Sequence, residues 1–292
     1  MSTRGIPKEG APKEGVLKEV YKTTIDELNN GKAWLRGPVT AEYLNEKHAG
    51  VWTAARRFGI QQGPKIRNID DYSENGVNGT VAVDEKVSSG GVDEIVLSVR
   101  TWCRAVTENK EVKVVFSDGA VQWGVLHSEF KDKGLDLQGR LLDLKSAYKQ
   151  LARSPKHAYA SNIAVWNPDA GQVEFFEQLT LAFGESAAVN GFSRVGQALR
   201  VMAARLFTMV ITNYFDDYTE VEPAVLASSA WASCEGMFQL LGFEVAQEEA
   251  KRKPFSKRFE PLGVACSLEE ADIGKVEITN KPGRVDQLIT KI

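Results

Sequence analysis

An α+β fold is what the order of turn signals along this chain predicts, and three observations carry that expectation. Apolar stretches are joined in pairs by short Gly-, Asn-, Asp- and Pro-rich links near residues 61–64, 117–120 and 167–171, so hairpins outnumber crossovers. Two long segments, 186 to about 209 and 223–242, have the apolar spacing of helices. Apolar residues make up 43% and charged residues 26% of 292, enough for a core and inconsistent with a wholly disordered or fibrous chain. This length, about twice one domain, favours two or three subdomains.

Pro-Lys-Glu-Gly occurs twice, from Pro7 and from Pro12, and reads as part of a solvated, flexible tail over residues 1–19. A helix is expected from Val20 through Ile25 and Leu28 to Asn29-Asn30-Gly31. Residues 54–72 read as two strands around Gln61-Gln62-Gly63-Pro64. Ser88-Ser89-Gly90-Gly91 caps an amphipathic helix whose core face is Val92, Ile95, Val96, Val99 and Cys103. Val112 to Phe116 and Val121 to Leu126 form a hairpin, and Arg140 to Leu144 a short strand. Ala160 to Trp166 and Gln172 to Leu179 make another hairpin. A long helix then runs from Ser186 despite Gly191 and Gly196, and Pro223 opens the next as its first residue.

Several classes are disfavoured. No apolar run approaches 18 residues, so no membrane span is expected, and the first residues lack the apolar core of a secretory signal. Cys103, Cys234 and Cys266 are odd in number and far apart, which fits a reducing intracellular compartment better than a disulfide framework. His48, His127 and His157 are too scattered to indicate zinc. With a net charge of −3, any nucleic-acid partner must be held by local basic patches.

Chemistry concentrates in five places, each with a plainer reading beside the functional one. Tyr214-Phe215-Asp216-Asp217-Tyr218 looks like a hairpin presenting two carboxylates, for which a hard divalent cation is a natural counter-charge; otherwise it is an Asp-rich surface turn. Asp143, ending an apolar strand, is either a third carboxylate for that site or a helix N-cap. Arg56, Arg57, Lys65 and Arg67 fall within twelve residues that hold no acid, as a phosphate-binding flap or a solvated hairpin. Gly184, after Phe183, permits a tight turn and close approach of a flat ligand, or lies in a plain loop capped by Ser186. Lys251-Arg252-Lys253-Pro254-Phe255-Ser256-Lys257-Arg258 is a basic stretch, suited to an anionic backbone or to a solvated face.

Taken in order, Asp143, Gly184, Asp216 and Leu262-Gly263 make the chain resemble the reverse transcriptases of retroelements, specifically the long-terminal-repeat and tyrosine-recombinase retrotransposon type. The resemblance covers roughly residues 50–266. Tyr214-Phe215-Asp216-Asp217 is similar to the family's Tyr-x-Asp-Asp motif. Leu181 to Phe192 resembles its Leu-Pro-Phe-Gly-x-x-Ser-Ala-Pro segment, with Ala182 and Val189 in place of two prolines. Leu262-Gly263-Val264 resembles the primer-grip hairpin.

That resemblance implies right-hand polymerase fingers (20–90 and 153–180) and a palm (91–152 and 181–268) with a ferredoxin-like antiparallel sheet backed by helices. It also implies the start of a truncated thumb at 269–292, where Val285, Leu288, Ile289 and Ile292 form the stripe of a helix, and so a piece of a longer polyprotein. The implied activity is RNA-directed DNA synthesis, adding deoxynucleotides to a primer on an RNA or DNA template by two-metal phosphoryl transfer. Two Mg²⁺ or Mn²⁺ ions would be held by Asp143, Asp216, Asp217 and the Leu144 carbonyl. Tyr148 would exclude the ribose 2′-hydroxyl; Arg67, with Lys65 or Arg57, would hold the triphosphate; Phe183 and Gly184 would contact template and nucleotide. Lys251 is the nearest match to a proton donor, with Lys253 competing for that role. The alternatives are a remnant that binds nucleic acid without synthesis, an RNA-dependent RNA polymerase and a small-molecule metalloenzyme.

Overall fold

A computed structural model describes residues 14–82, 89–107, 111–115, 118–125, 127–130, 136–249 and 251–283. The first Pro-Lys-Glu-Gly copy, Ser88, Phe116, Ser117, Leu126 and the apolar stripe from Val285 to Ile292 lie outside the described residues. In chain order the elements are α1 (Glu14–Asn29), β1 (Leu35–Val39), α2 (Ala41–Lys47), β2 (Ala54–Gln62), β3 (Lys65–Asp71), α3 (Val92–Thr107), β4 (Glu111–Val115), β5 (Val121–Val125) and β6 (Leu137–Asp143). They continue with β7 (Asn162–Asn167), β8 (Gln172–Gln178), α4 (Ser186–Phe207), β9 (Ile211–Tyr214), β10 (Asp217–Pro223), α5 (Ala224–Leu240), β11 (Arg258–Phe259), β12 (Val264–Ser267) and β13 (Glu277–Asn280). Mixed helices and largely antiparallel sheets make this an α+β chain.

The chain divides into two compact units, residues 1–86 with 146–192 and residues 87–145 with 193–292. The first is a five-stranded sheet in the order β1-β8-β7-β2-β3, with a parallel pairing between β2 and β7. Its core gathers Val20, Leu35, Ala55, Tyr72, Ile163, Val165 and Phe176, with Val16, Ile25 and Leu28 of α1 packed against it. Helix α1 begins at Glu14, so residues 14–19 are helix and not tail. The reason is a contact that periodicity from Val20 onward does not reveal. Gly59 of β2 has no side chain, and the methyls of Val16 and Val20 fill that space together with Ile66. Residues 146–152 and 181–192, expected with the palm, pack in this unit because Tyr148 stacks on Phe192 and meets Phe183 edge-on.

The second unit is built on a three-stranded antiparallel sheet, β6-β10-β9, with β10 in the middle. Leu137 and Val221 of this sheet join Ile95, Val99 and Cys103 of α3, and Phe259, Cys266, Leu268 and Ala271, in one apolar core. Gly139 makes room for the Phe259 ring, which a Cβ would strike. Tyr218 lies edge-on to Phe238 of α5 at 5.1 Å. Between β6, β10 and α5 the interior is polar: Arg140 and Glu220 are buried and paired at 3.1 Å. Strand β6 starts at Leu137, three residues earlier than expected, and Pro223 is the last residue of β10 and the cap of α5, not its first helical residue. Small sheets β11-β12-β13 and β4-β5 complete the unit.

Candidate active site

Local sequence makes the Asp216–Asp217 hairpin. Tyr214 and Asp217 are paired across β9 and β10, leaving Phe215 and Asp216 as a two-residue turn. Phe215 takes φ +52°, a left-handed conformation that costs energy for a bulky residue. Its surroundings hold it there. Asn213 donates its side-chain amide to the Phe215 carbonyl at 3.3 Å, and Tyr218 Oη donates to the Gly196 carbonyl at 3.3 Å. A Cβ on Gly196 of α4 would lie 3.2 Å from the Phe215 carbonyl oxygen, so glycine there lets helix and turn approach. The isolated glycine within a helical pattern was the sequence signal for that contact.

The register across the sheet supplies the third carboxylate. Asp217 sits directly opposite Asp143 on β6, so the two side chains share one face. The Asp143 carbonyl accepts from the Ala246 N–H at 2.8 Å, and the following Leu144 bridges Val245, with its side chain buried. This settles Asp143 as the last residue of a strand continued by an irregular bridge. The next helical turn is the short 3₁₀ segment Ala147–Gln150, whose cap is Ser146, so Asp143 is not an N-cap.

Electrostatically the site is short of positive charge. Desolvation by the surrounding protein, then the charges of Asp216 and Asp143, push the Asp217 carboxyl up to about 6, with Lys251 opposing. The Lys251 ammonium is bound to the Asp143 carboxylate, and that contact holds its own pKa above the usual lysine value. Lys253 stands apart from this contact and lines, with Asp143, Asp217, Lys251, Arg258 and Lys281, an open groove of about 950 Å³.

Among the described residues, no group of three or more His, Cys, Asp or Glu side chains is gathered closely enough to enclose a metal. Asp143 and Asp217, facing one another across the sheet, are oxygen donors of the kind that a hard divalent ion takes in ones and twos beside phosphate and water. The unbalanced charge on Asp217 is consistent with such an ion.

The residues expected to bind the nucleotide lie in the first unit. Lys65 and Arg67 are exposed on one face of β3, as alternation requires. Arg57 is not available to a phosphate: it is buried, bonded to both Asp70 carboxylate oxygens at 2.7 and 3.0 Å and to Glu27 at 2.8 Å. Arg56 likewise pairs with Glu74 at 2.7 Å. The acid-free window ended just before the acids that answer it, because hairpin register sets Arg57 opposite Asp70 and Arg56 opposite Asp71. Gly184 has φ +103°, and a Cβ would collide with the Asp70 carbonyl oxygen, so its glycine is required by the close approach of the chain's own backbone. Tyr148 is 7% exposed, its ring 4.6 Å from Phe192, while Phe183 is half exposed. The basic stretch is largely neutralised within the second unit. Besides Lys251, Arg252 pairs with Glu235, Lys257 with Asp136 and Arg258 with Glu269. Leu262 adopts φ +51° in the turn before β12, where the primer-grip resemblance falls.

No protein-family model matches the chain, and no curated protein matches it. Among solved structures it is similar to a foamy viral protease-reverse transcriptase in complex with double-stranded DNA, with a TM-score of 0.63 and 12% identity. The likeness covers all of this chain and 39% of the viral chain, so the chain spans about two fifths of that protein's length. It is a likeness of fold. Among the described residues, no helix is long and apolar enough to cross a membrane.

Proposed function

We propose that the chain is the catalytic part of an RNA-directed DNA polymerase that extends a primer on an RNA or DNA template with deoxynucleotides. One observation carries this reading: Asp143 and Asp217 stand directly opposite one another on adjacent strands, beside Asp216 in a strained turn, in a chain with the fold of a reverse-transcriptase segment. In this reading Asp143, Asp216 and Asp217, with the Leu144 carbonyl, hold Mg²⁺ or Mn²⁺, which supplies Lewis-acid activation of a hydroxyl and neutralises phosphate charge. The protein's own groups do the rest. Sheet register sets Asp143 and Asp217 side by side, and Asp143 presents its oxygens once the Lys251 ammonium moves off them. Lys251, already charged and resting on Asp143, delivers a proton to the leaving pyrophosphate. Lys65 and Arg67 are assigned to the triphosphate, Tyr148 to discrimination of the sugar, and Phe183 to contact with template and nucleotide.

A second reading, nucleic-acid binding without synthesis, is favoured by the absence of an enclosed three-ligand cluster among the described residues and by the ammonium of Lys251 on Asp143. Incorporation of deoxynucleotides on a primed RNA template separates the two. Synthesis with Mg²⁺ that is abolished by a chelator and lowered by orders of magnitude in Asp216→Asn supports the polymerase. A folded chain that retains primer-template but incorporates nothing supports binding alone.

A further inference from the structure

Lys251 lies in an irregular segment between α5 and β11, yet its ammonium meets Asp143 of β6. Flexible four-carbon side chains on irregular backbone do not hold such a contact unaided, because ordering them costs rotamer entropy. Part of the support is backbone: the Lys251 and Arg252 N–H groups both donate to the Glu248 carbonyl, at 2.8 and 2.9 Å, and the Ala246 N–H donates to the Asp143 carbonyl. A side chain must hold that turn over Asp143.

The next residue does so. Arg252 places Nε and Nη2 on the two oxygens of Glu235 at 3.1 and 2.7 Å, a two-pronged bond that sets orientation as well as distance. Its guanidinium also lies 5.2 Å from the ring centroid of Trp231, one turn before Glu235 on α5. The same ring carries Arg140 of β6 at 4.1 Å, and Glu235 reaches Arg140 at 3.7 Å. Although burial pushes the Glu235 carboxyl up, its bonds to Arg252 and the nearby Arg140 hold it below the usual range. Arg252 is thus tied through α5 to the strand that bears Asp143, three residues beyond Arg140. At the far end of the segment, Ser256 and Gly139 exchange two backbone hydrogen bonds at 2.9 and 3.0 Å. Backbone bonds thus anchor the chain on either side of residues 251 and 252, Val245 and Ala246 beside Asp143 and Ser256 on β6, and Arg252 adds the side-chain tie through the helix.

We propose that Arg252, gripped by Glu235 and Trp231, is a positioning residue that sets Lys251 on Asp143. The catalytic meaning of that placement rests on the polymerase reading; the placement itself does not.

The test is acetylation of the full chain at a single pH, read lysine by lysine by mass spectrometry. Lys257, paired with Asp136, and Lys281, paired with Glu260, serve as internal references. In Arg252→Ala, labelling of Lys251 is expected to rise several-fold, about five-fold at the upper end for a partly exposed ion pair, while the references stay unchanged. An unchanged Lys251 overturns the proposal. If all three lysines become reactive together, the exchanged pair Glu235→Arg/Arg252→Glu decides. Renewed protection of Lys251 supports the grip, and continued exposure overturns it. In the incorporation assay Arg252→Ala should lower kcat and leave the deoxynucleotide KM alone; a KM effect with unchanged kcat argues against positioning. A wild-type chain that incorporates nothing sinks the polymerase reading, and the labelling result still judges the grip.

Discussion

Replacing Glu222 by glutamine should change how the protein's stability depends on pH. Glu222 lies on β10, 2% exposed, and accepts the Val210 N–H at 2.7 Å. Burial, and secondarily the charge of Glu220, push its carboxyl from 4.5 up to about 7. A carboxyl whose folded pKa is raised binds its proton more tightly in the folded state. Its contribution is fully present below pH 4.5 and is lost as pH rises through 7. The difference between 4.5 and 7 corresponds to about 3 kcal/mol at most, and relaxation around the site reduces it to about 2–3 kcal/mol. Glutamine keeps an oxygen for Val210 and never ionises. At pH 8 Glu222→Gln should therefore be more stable than the parent by about 1–2 kcal/mol after the cost of its extra amide donor, raising Tm by about 2 °C or more. At pH 4, where the parent carboxyl is neutral, the advantage disappears, and the extra amide donor costs about 1 kcal/mol. Thermal unfolding of both proteins from pH 4 to 8 measures the difference directly, and other titrating groups cancel in it. Two parallel curves would refute the assignment of a buried, proton-holding Glu222.

Arg57→Met should destabilise the first unit by about 3–5 kcal/mol, because Asp70 and Glu27 lose their buried partner, whereas Arg67→Ala should leave Tm unchanged and raise the deoxynucleotide KM. Thermal shifts beside kinetics check both; a KM effect without loss of Tm at Arg57 would reverse the two roles. Gly184→Ala should cost more than about 2 kcal/mol, since φ +103° and the Asp70 carbonyl both oppose a side chain, and denaturant titration showing a neutral change would contradict that geometry. Tyr148→Ala should admit ribonucleotides and also lower stability by about 3 kcal/mol, because the ring packs against Phe192. Unchanged sugar selectivity in the folded variant would remove Tyr148 from that role.

Much of this protein was legible in the order of its residues. The β9–β10 hairpin, the strand ending at Asp143, the β2–β3 and β7–β8 hairpins and the long helices follow from turn chemistry and apolar spacing, which act between residues a few positions apart. What eluded that reading depends on residues distant along the chain. Glycine at 59 makes room for Val16 and Val20 of α1, and only register reveals that Arg57 faces Asp70. That Lys251 meets Asp143 depends on packing between a strand and a segment more than a hundred residues further along the chain. Sequence alone pointed to the main hairpins, the long helices and the candidate carboxylates, but not to β1, α2 or the first turns of α1. Tertiary structure decided which charges are spent on one another, because the worth of a charge is set by its burial and its partner, and neither is a local property.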